Sequence, residues 1–185
     1  MELIKTDVLD VFILEPKVFG DNRGWFMETW SKKAMEDAGL HYDFLQDNHA
    51  YNSQRGILRG LHYQKGEAAQ AKLVRCIRGS VLDVAVDMRE GSPTYKKWVA
   101  VELSAENKRQ LMVPRGFLHG YLTLTEDAEF VYRVDGLYNP QMDGGIRWND
   151  PEIGVEWGIS DPVLSEKDAK QPFLKDSDID FVWKK

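Results

Sequence analysis

The sequence predicts an all-β fold, an antiparallel sandwich or barrel with very little helix, and three observations carry that prediction. Period-two alternation of apolar, β-branched and aromatic residues recurs through the middle of the chain, turn chemistry punctuates it at short intervals, and only two brief segments carry helix-capping signals. The strand-like runs are Lys72-Leu73-Val74-Arg75-Cys76-Ile77, Ser80-Val81-Leu82-Asp83-Val84-Ala85-Val86-Asp87, Lys97-Trp98-Val99-Ala100-Val101-Glu102-Leu103 and Glu129-Phe130-Val131-Tyr132-Arg133-Val134. Turns are expected at Arg78-Gly79-Ser80, Glu90-Gly91-Ser92-Pro93, Pro114-Arg115-Gly116 and Asp143-Gly144-Gly145, where glycine permits positive φ and proline locks φ at about −65°. Short turns of this kind join antiparallel neighbours, whereas parallel strands need long crossovers. Ser31 caps a short amphipathic helix through Ala34, Met35 and Ala38 that Gly39 ends, and Ser165 caps a second turn containing Lys167 and Asp168 before Pro172 stops it.

The 185 residues suffice for one well-buried core, and no repeat, linker or low-complexity tract divides them, so residues 1–185 are expected to fold as a single domain. A hydrophobic fraction of 43% and a charged fraction of 29% are those of an ordinary soluble protein, with no apolar run long enough to span a bilayer. Met1-Glu2-Leu3-Ile4-Lys5 has an acid where a signal peptide has a basic region, which leads to the expectation of a cytoplasmic protein with no membrane partner. The net charge of −6 speaks against nucleic acid as a partner and leaves room for a local basic site for one phosphate group. The single cysteine, Cys76, cannot form an internal disulfide and reads as a small packed hydrophobe.

The N-terminal third carries polar and aromatic residues that a β-core does not need: Phe19, Asp21, Arg23, Gly24, Trp25, Phe26 and Glu28, then Gln46, Asp47, Asn48 and His49. Such segments suit a rim. They either cover the mouth of the barrel or extend onto a second subunit. The dimer is preferred, because an extended arm buries its apolar residues most easily against a symmetric partner.

Chemistry concentrates in Arg59-Gly60-Leu61-His62-Tyr63-Gln64 and Pro114-Arg115-Gly116-Phe117-Leu118-His119-Gly120. Histidine titrates closest to neutral pH and arginine is permanently charged, so the pairing suits proton transfer on a small anion. A metal-binding cupin would need His-x-His, a following Glu and a third His. Here Tyr63-Gln64 follow His62 and the second ligand is absent, although Pro114-x-Gly116-x-x-His119 matches the second cupin signature. The echo is therefore of the fold, a cupin-like jelly roll or double-stranded β-helix, with no metal site. His41 and His49 read as packing residues. Tyr132 shares a sheet face with Phe130 and Val134, which makes it an inward acid or a core tyrosine bonded to backbone. Lys72 shares parity with Val74 and Cys76 and is either an inward cation beside a developing oxyanion or a solvated strand end. Asp168 either completes a capping box with Ser165 or orients His62 and raises its basicity. No glycine-rich phosphate loop is present, so Arg23 and Arg59 are the forks available to a diphosphate. Phe26 and Tyr138 can stack on a base or sugar, or be partial core. These residues define an acid/base pocket for an anion without naming the substrate.

Together with Lys72-Leu73-Val74-Arg75, Asp83-Val84-Ala85-Val86-Asp87, Ser92-Pro93-Thr94, Leu103-Ser104-Ala105-Glu106-Asn107, Trp148-Asn149-Asp150-Pro151 and Leu164-Ser165-Glu166-Lys167-Asp168, the two histidine segments closely resemble the dTDP-4-dehydrorhamnose 3,5-epimerase family, in order and over nearly the full chain. The resemblance implies a cofactor-free, metal-free jelly roll, usually a homodimer, that converts dTDP-4-dehydro-6-deoxy-D-glucose to dTDP-4-dehydro-L-rhamnose. It implies His62 as base, Asp168 as its orienting partner, Tyr132 as opposing acid, Lys72 beside the enolate oxygen and His119 near the sugar. Arg23, Glu28, Gln46, Asn48, Arg59, Asp143 and Lys167 match positions that contact the nucleotide sugar, Tyr138 the position that stacks on thymine, and Phe19 and Phe26 complete the binding set. Relatives that invert only C3 or only C5 share the same base and acid. A metal-dependent cupin and a non-catalytic sugar-binding jelly roll are the competing classes.

Overall fold

The alternating runs become two packed antiparallel sheets in a computed structural model that describes residues 1–184. In chain order the strands are β1 (Glu2–Lys5), β2 (Phe12–Glu15), β3 (Val18–Asp21), β4 (Gly24–Met27), β5 (Gln46–Asn52), β6 (Leu58–Gln64), β7 (Lys72–Arg78), β8 (Ser80–Asp87), β9 (Trp98–Ser104), β10 (Gln110–Val113), β11 (Phe117–Thr123), β12 (Ala128–Val134) and β13 (Asp143–Gly145). The helices are α1 (Lys32–Asp37) and α2 (Glu166–Ala169). One sheet runs β1-β2-β10-β7-β12-β5 and the other β13-β6-β11-β8-β9, while β3 and β4 pair only with each other. The expected all-β jelly roll is the observed architecture. No helix among the described residues is long and apolar enough to cross a membrane.

Strand parity decides what each sheet face meets. Val74, Cys76, Val81, Ala85, Phe117, Tyr121 and Phe130 point between the sheets and form the central core. Leu58, Leu61, Tyr63, Val84, Val86, Leu118 and Leu122 point the other way and are covered by Ile146, Ile153, Trp157 and Leu174 of the C-terminal segment. On the outer face of the first sheet, Leu14, Leu73 and Met112 pack under Met35 of α1. Each fully buried Leu or Phe is worth roughly 1.5–3 kcal/mol of transfer free energy, so both faces contribute. As expected, Cys76 is buried, and burial pushes its thiol up to about 11.

The two helix caps form as read. Ser31 Oγ accepts from Ala34 N at 3.4 Å, Gly39 takes φ +81° just past the helix, and Ser165 Oγ accepts from Asp168 N at 3.1 Å. Three expectations are corrected. Asp143-Gly144-Gly145 is a strand that pairs with β6, because the missing side chains let it lie against Tyr63 and Gln171; a Cβ on Gly144 would sit 2.6 Å from the Tyr63 ring. Gln46–Asn52, expected as part of a rim with no strand assigned, is the edge strand of the first sheet, paired with β12. His41 and His49 are exposed rather than packed, and His49 Nε2 sits 2.9 Å from Glu129.

One close approach positions the two motif histidines. A Cβ on Gly60, whose φ is +134°, would lie 2.6 Å from Gly120 Cα, and one on Gly120 would lie 2.8 Å from the Arg59 carbonyl oxygen. Only glycine at both positions lets β6 and β11 meet this closely. The register that results sets His62 directly opposite His119.

Candidate active site

Between the sheets lies a cavity of about 350 Å³, with His62, Tyr63 and Gln64 of β6 and Asp143 of β13 on one wall. Gln46 and Asn48 of β5, Lys72 of β7 and Tyr132 of β12 form the opposite wall, and Gln70, Tyr138 and Lys167 lie around the mouth. Its volume falls within the range of small-molecule sites. Inward parity and register produce this grouping: Tyr132 is paired with Asn48 on one side and Val74 on the other, and Lys72 is paired with Val134.

His62 is partly exposed, with 30% of its side chain accessible, and its Nε2 lies 2.5 Å from Asp168 Oδ1. Burial opposes charge on Asp168, yet the His62 hydrogen bond and charge, with smaller help from Ser165 and Lys167, hold its carboxyl below the usual range. An ionised carboxylate only accepts, so Nε2–H donates and Nδ1 is left as the basic nitrogen. Of the two readings of Asp168, the second is the one its carboxylate follows: Ser165 Oγ caps its backbone N–H, but the carboxylate is committed to His62 rather than closing a capping box.

Across the cavity, burial raises the Tyr132 phenol above its ordinary value, while the positive charge of Arg59 opposes the rise. Tyr132 is thus a neutral donor, and it faces the site. Lys72 is partly buried, and desolvation pulls its ammonium down to about 8 against the attraction of Asp83 and Asp143. It is an inward cation and not a solvated strand end. His119 is buried one layer behind, with Nε2 3.1 and 3.0 Å from the two oxygens of Asp83 and its ring against Phe130; burial lowers its pKa.

At the mouth, Lys167 pairs with Asp143, and the Tyr138 hydroxyl donates to the same carboxylate at 3.3 Å. Gln46 donates to Asn48 at 2.9 Å. Arg59 is exposed beside the cavity, its Nε donating to Asn52 Oδ1 at 2.9 Å. Phe19, Arg23, Phe26 and Glu28 are the expected binding residues that one chain does not bring to the cavity. The first three ride on the β3–β4 hairpin, where Phe19 is 53% and Phe26 70% exposed and Arg23 Nη2 is spent on Asp21 at 2.6 Å. Glu28 is exposed just beyond β4.

Sequence reasoning missed Gln64 and Gln70, whose side chains hold the loop that carries Tyr138, through Asn139 N at 3.0 Å and the Gly136 carbonyl at 2.7 Å. It also missed Asp83 as a site group. The signal was an acid at inward parity with Val81 and Ala85 in an otherwise apolar strand. Among the described residues, no three His, Cys, Asp or Glu side chains converge as metal ligands would.

The arrangement offers a base held by a carboxylate on one sheet and a phenol and a cation on the facing sheet. Comparison with known proteins gives this chemistry a family. The family model for dTDP-4-dehydrorhamnose 3,5-epimerase matches residues 5–176. A dTDP-4-dehydrorhamnose 3,5-epimerase of Shigella flexneri is 52% identical over 179 residues, covering 96% of this chain and 98% of the relative. A dTDP-6-deoxy-D-glucose-3,5-epimerase from Legionella pneumophila, solved in complex with dTDP-4-keto-L-rhamnose, superposes with a TM-score of 0.93 at 41% identity, covering 100% of this chain and 99% of that one. The dTDP-4-dehydrorhamnose 3,5-epimerase of Bacillus anthracis, solved with TDP and PPi bound, gives 0.91 at 44% identity, covering 94% and 99%. The chain belongs to the dTDP-4-dehydrorhamnose 3,5-epimerase family.

Proposed function

We propose that this protein inverts C3 and C5 of dTDP-4-dehydro-6-deoxy-D-glucose to give dTDP-4-dehydro-L-rhamnose, as a cofactor-independent, single-domain enzyme working as a homodimer. The observation that carries the reading is the His62–Asp168 pair at 2.5 Å on one cavity wall with Tyr132 on the other. A ketone at C4 acidifies the hydrogens on both neighbouring carbons. His62 Nδ1 removes one of these protons, the electron pair moves onto the ketone oxygen, and the enolate charge develops beside the Lys72 ammonium. Tyr132 then returns a proton to the opposite face of the carbon, which inverts it, and solvent resets both groups. The sequence repeats at the second carbon. A positioned base or acid contributes about 10²–10⁴-fold to such a step.

For the nucleotide, Arg59 faces the diphosphate, and Tyr138 stacks on the thymine, with Gln46, Asn48, Asp143, Lys167 and His119 contacting the nucleotide sugar. The exposed hairpin supports the dimer: Phe19, Trp25 and Phe26 leave a large apolar surface uncovered on one chain. In a symmetric pair, each hairpin lies over its neighbour's cavity and supplies Phe19, Arg23, Phe26 and Glu28. A cytoplasmic location agrees with the nucleotide-activated substrate that this reading assigns.

The test is to run the reaction in D₂O and count label in the recovered sugar. Two deuterons, one at C3 and one at C5, are expected. One deuteron makes the protein a mono-epimerase, and none, with nucleotide sugar still bound, makes it a non-catalytic binder.

A further inference from the structure

Asn52 ends the inward row of β5 that starts with Gln46 and Asn48, and it is only 1% exposed where those two line the cavity. A buried amide is costly unless its donors and its acceptor are matched. Here they are. Nδ2 donates to the Ala128 carbonyl at 3.1 Å, and Oδ1 accepts from Arg59 Nε at 2.9 Å and from the Tyr121 hydroxyl at 3.3 Å. These partners also fix which way round the amide lies, because its oxygen alone can accept from two donors.

The bond to Arg59 crosses from one sheet to the other. β5 is the edge of the first sheet and β6 belongs to the second, so the guanidinium of an exposed side chain is held from the opposite sheet. A long side chain left loose would have to be ordered when a ligand binds, at a cost in affinity. Arg59 Nη2 also reaches the Tyr51 carbonyl at 3.4 Å. With Nε committed to Asn52, the edge left for a ligand is the one formed by Nη1 and the second N–H of Nη2, two parallel donors of the kind that grip a phosphate. Both protein acceptors are neutral, so holding the side chain leaves its positive charge uncancelled. An aspartate at position 52 would hold the same nitrogen and cancel that charge.

We propose that Asn52 is a positioning residue for the diphosphate: acting through Arg59, it sets the guanidinium with its Nη1–Nη2 edge free before the nucleotide arrives. The proposal rests on the reading of Arg59 as the group that faces the diphosphate. It separates two tasks at the cavity. His62, Lys72 and Tyr132 act on the sugar, while Asn52 takes no part in proton transfer and contributes to affinity alone. Removing it raises KM and leaves kcat almost unchanged, the pattern of lost uniform binding.

The experiment is a double-mutant cycle on dTDP affinity, measured by calorimetry for wild type, N52A, R59A and N52A/R59A, with kcat and KM taken alongside. N52A is expected to weaken dTDP by about tenfold and to raise KM to match, with kcat within about threefold. R59A weakens dTDP by about 10²-fold, and the double variant binds it no more weakly than R59A does, since Asn52 has nothing left to hold. Additive losses overturn the proposal, because Asn52 would then act on the fold or on the ligand without Arg59. So does wild-type dTDP affinity in N52A. Where N52A does not fold, ¹⁵N NMR of the Arg59 Nε–H in the ligand-free wild type decides the matter: slow exchange with solvent supports the proposal, and exchange as fast as that of an unbonded arginine overturns it. An R59A variant that binds dTDP like the wild type overturns the proposal together with the reading of Arg59, whereas a weakened R59A beside an unaffected N52A overturns this inference alone. The epimerase reading is tested separately by the deuterium count.

Discussion

The cavity and the β3–β4 hairpin contain equally suggestive residues, but they are built on different terms. In and directly behind the cavity, His62 is held by Asp168, His119 by Asp83 and Lys167 by Asp143, while strand register places Lys72 and Tyr132. On the hairpin, Phe19 and Phe26 point into solvent, and among the described residues Arg23 has only the exposed Asp21 as partner. Under the function proposed above, the difference means that proton transfer is assembled within one chain, whereas the proposed second chain completes the grip on the nucleotide. An exposed arginine–aspartate pair is worth little, so Arg23 is free to exchange Asp21 for a diphosphate.

That contrast can be broken at its strong end first. Lys72→Met removes the cation beside the developing oxyanion and should lower kcat by about 10³-fold while dTDP still binds, as steady-state kinetics and calorimetry will measure. The same variant isolates a pH effect on stability. With a folded value of about 8 against an ordinary 10.5, Lys72 is a cation in both states below about pH 8, and only between those two values has it lost its proton in the folded protein while the unfolded chain still holds it. Stability from this group therefore rises as pH increases from about 8 to 10.5, and thermal melts of wild type and K72M should diverge over that window in that direction. Gly120→Ala should cost about 2–4 kcal/mol in urea unfolding, because the new Cβ meets the Arg59 carbonyl and forces β6 from β11.

The hairpin should fail differently. The double change R23A/F26A is expected to raise KM by about 10²-fold and leave kcat within a few-fold, since it removes binding and not chemistry. At substrate well below that variant's KM, mixing it with H62A chains and allowing subunits to exchange should restore about a quarter of wild-type activity, because half the dimers regain one complete site. No recovery would mean that each hairpin serves its own chain. Asp21→Ala is the smallest perturbation, and its thermal melting curve should overlie that of the wild type.

The interior was the legible part. β8 spans the predicted Ser80–Asp87, and of the two readings that period-two parity left open for Lys72 and for Tyr132, the cavity lining takes the inward one in each case. Where both sides of a strand bear on something, parity carries less. β11 is buried along its whole length and shows no alternation, and β5 has polar Gln46 and Asn48 on its inner face because that face lines the cavity. The glycines of β13 looked like a turn because what they make room for, Tyr63 and Gln171, lies far away in sequence. Asp168 could not be assigned from spacing, since its partner is 106 residues distant. The family motifs named the hairpin residues, but which chain's cavity they serve is a property of the assembly and not of any local pattern.

The central claim is that one imidazole takes the proton from both carbons. Incubating the 4-keto nucleotide sugar in D₂O with wild-type protein and with H62A, and following the C3 and C5 hydrogens separately by ¹H NMR, tests it most directly. Both signals should fade with wild type and both should persist with H62A. Exchange at either carbon by H62A, at a rate near wild type, would contradict the assignment.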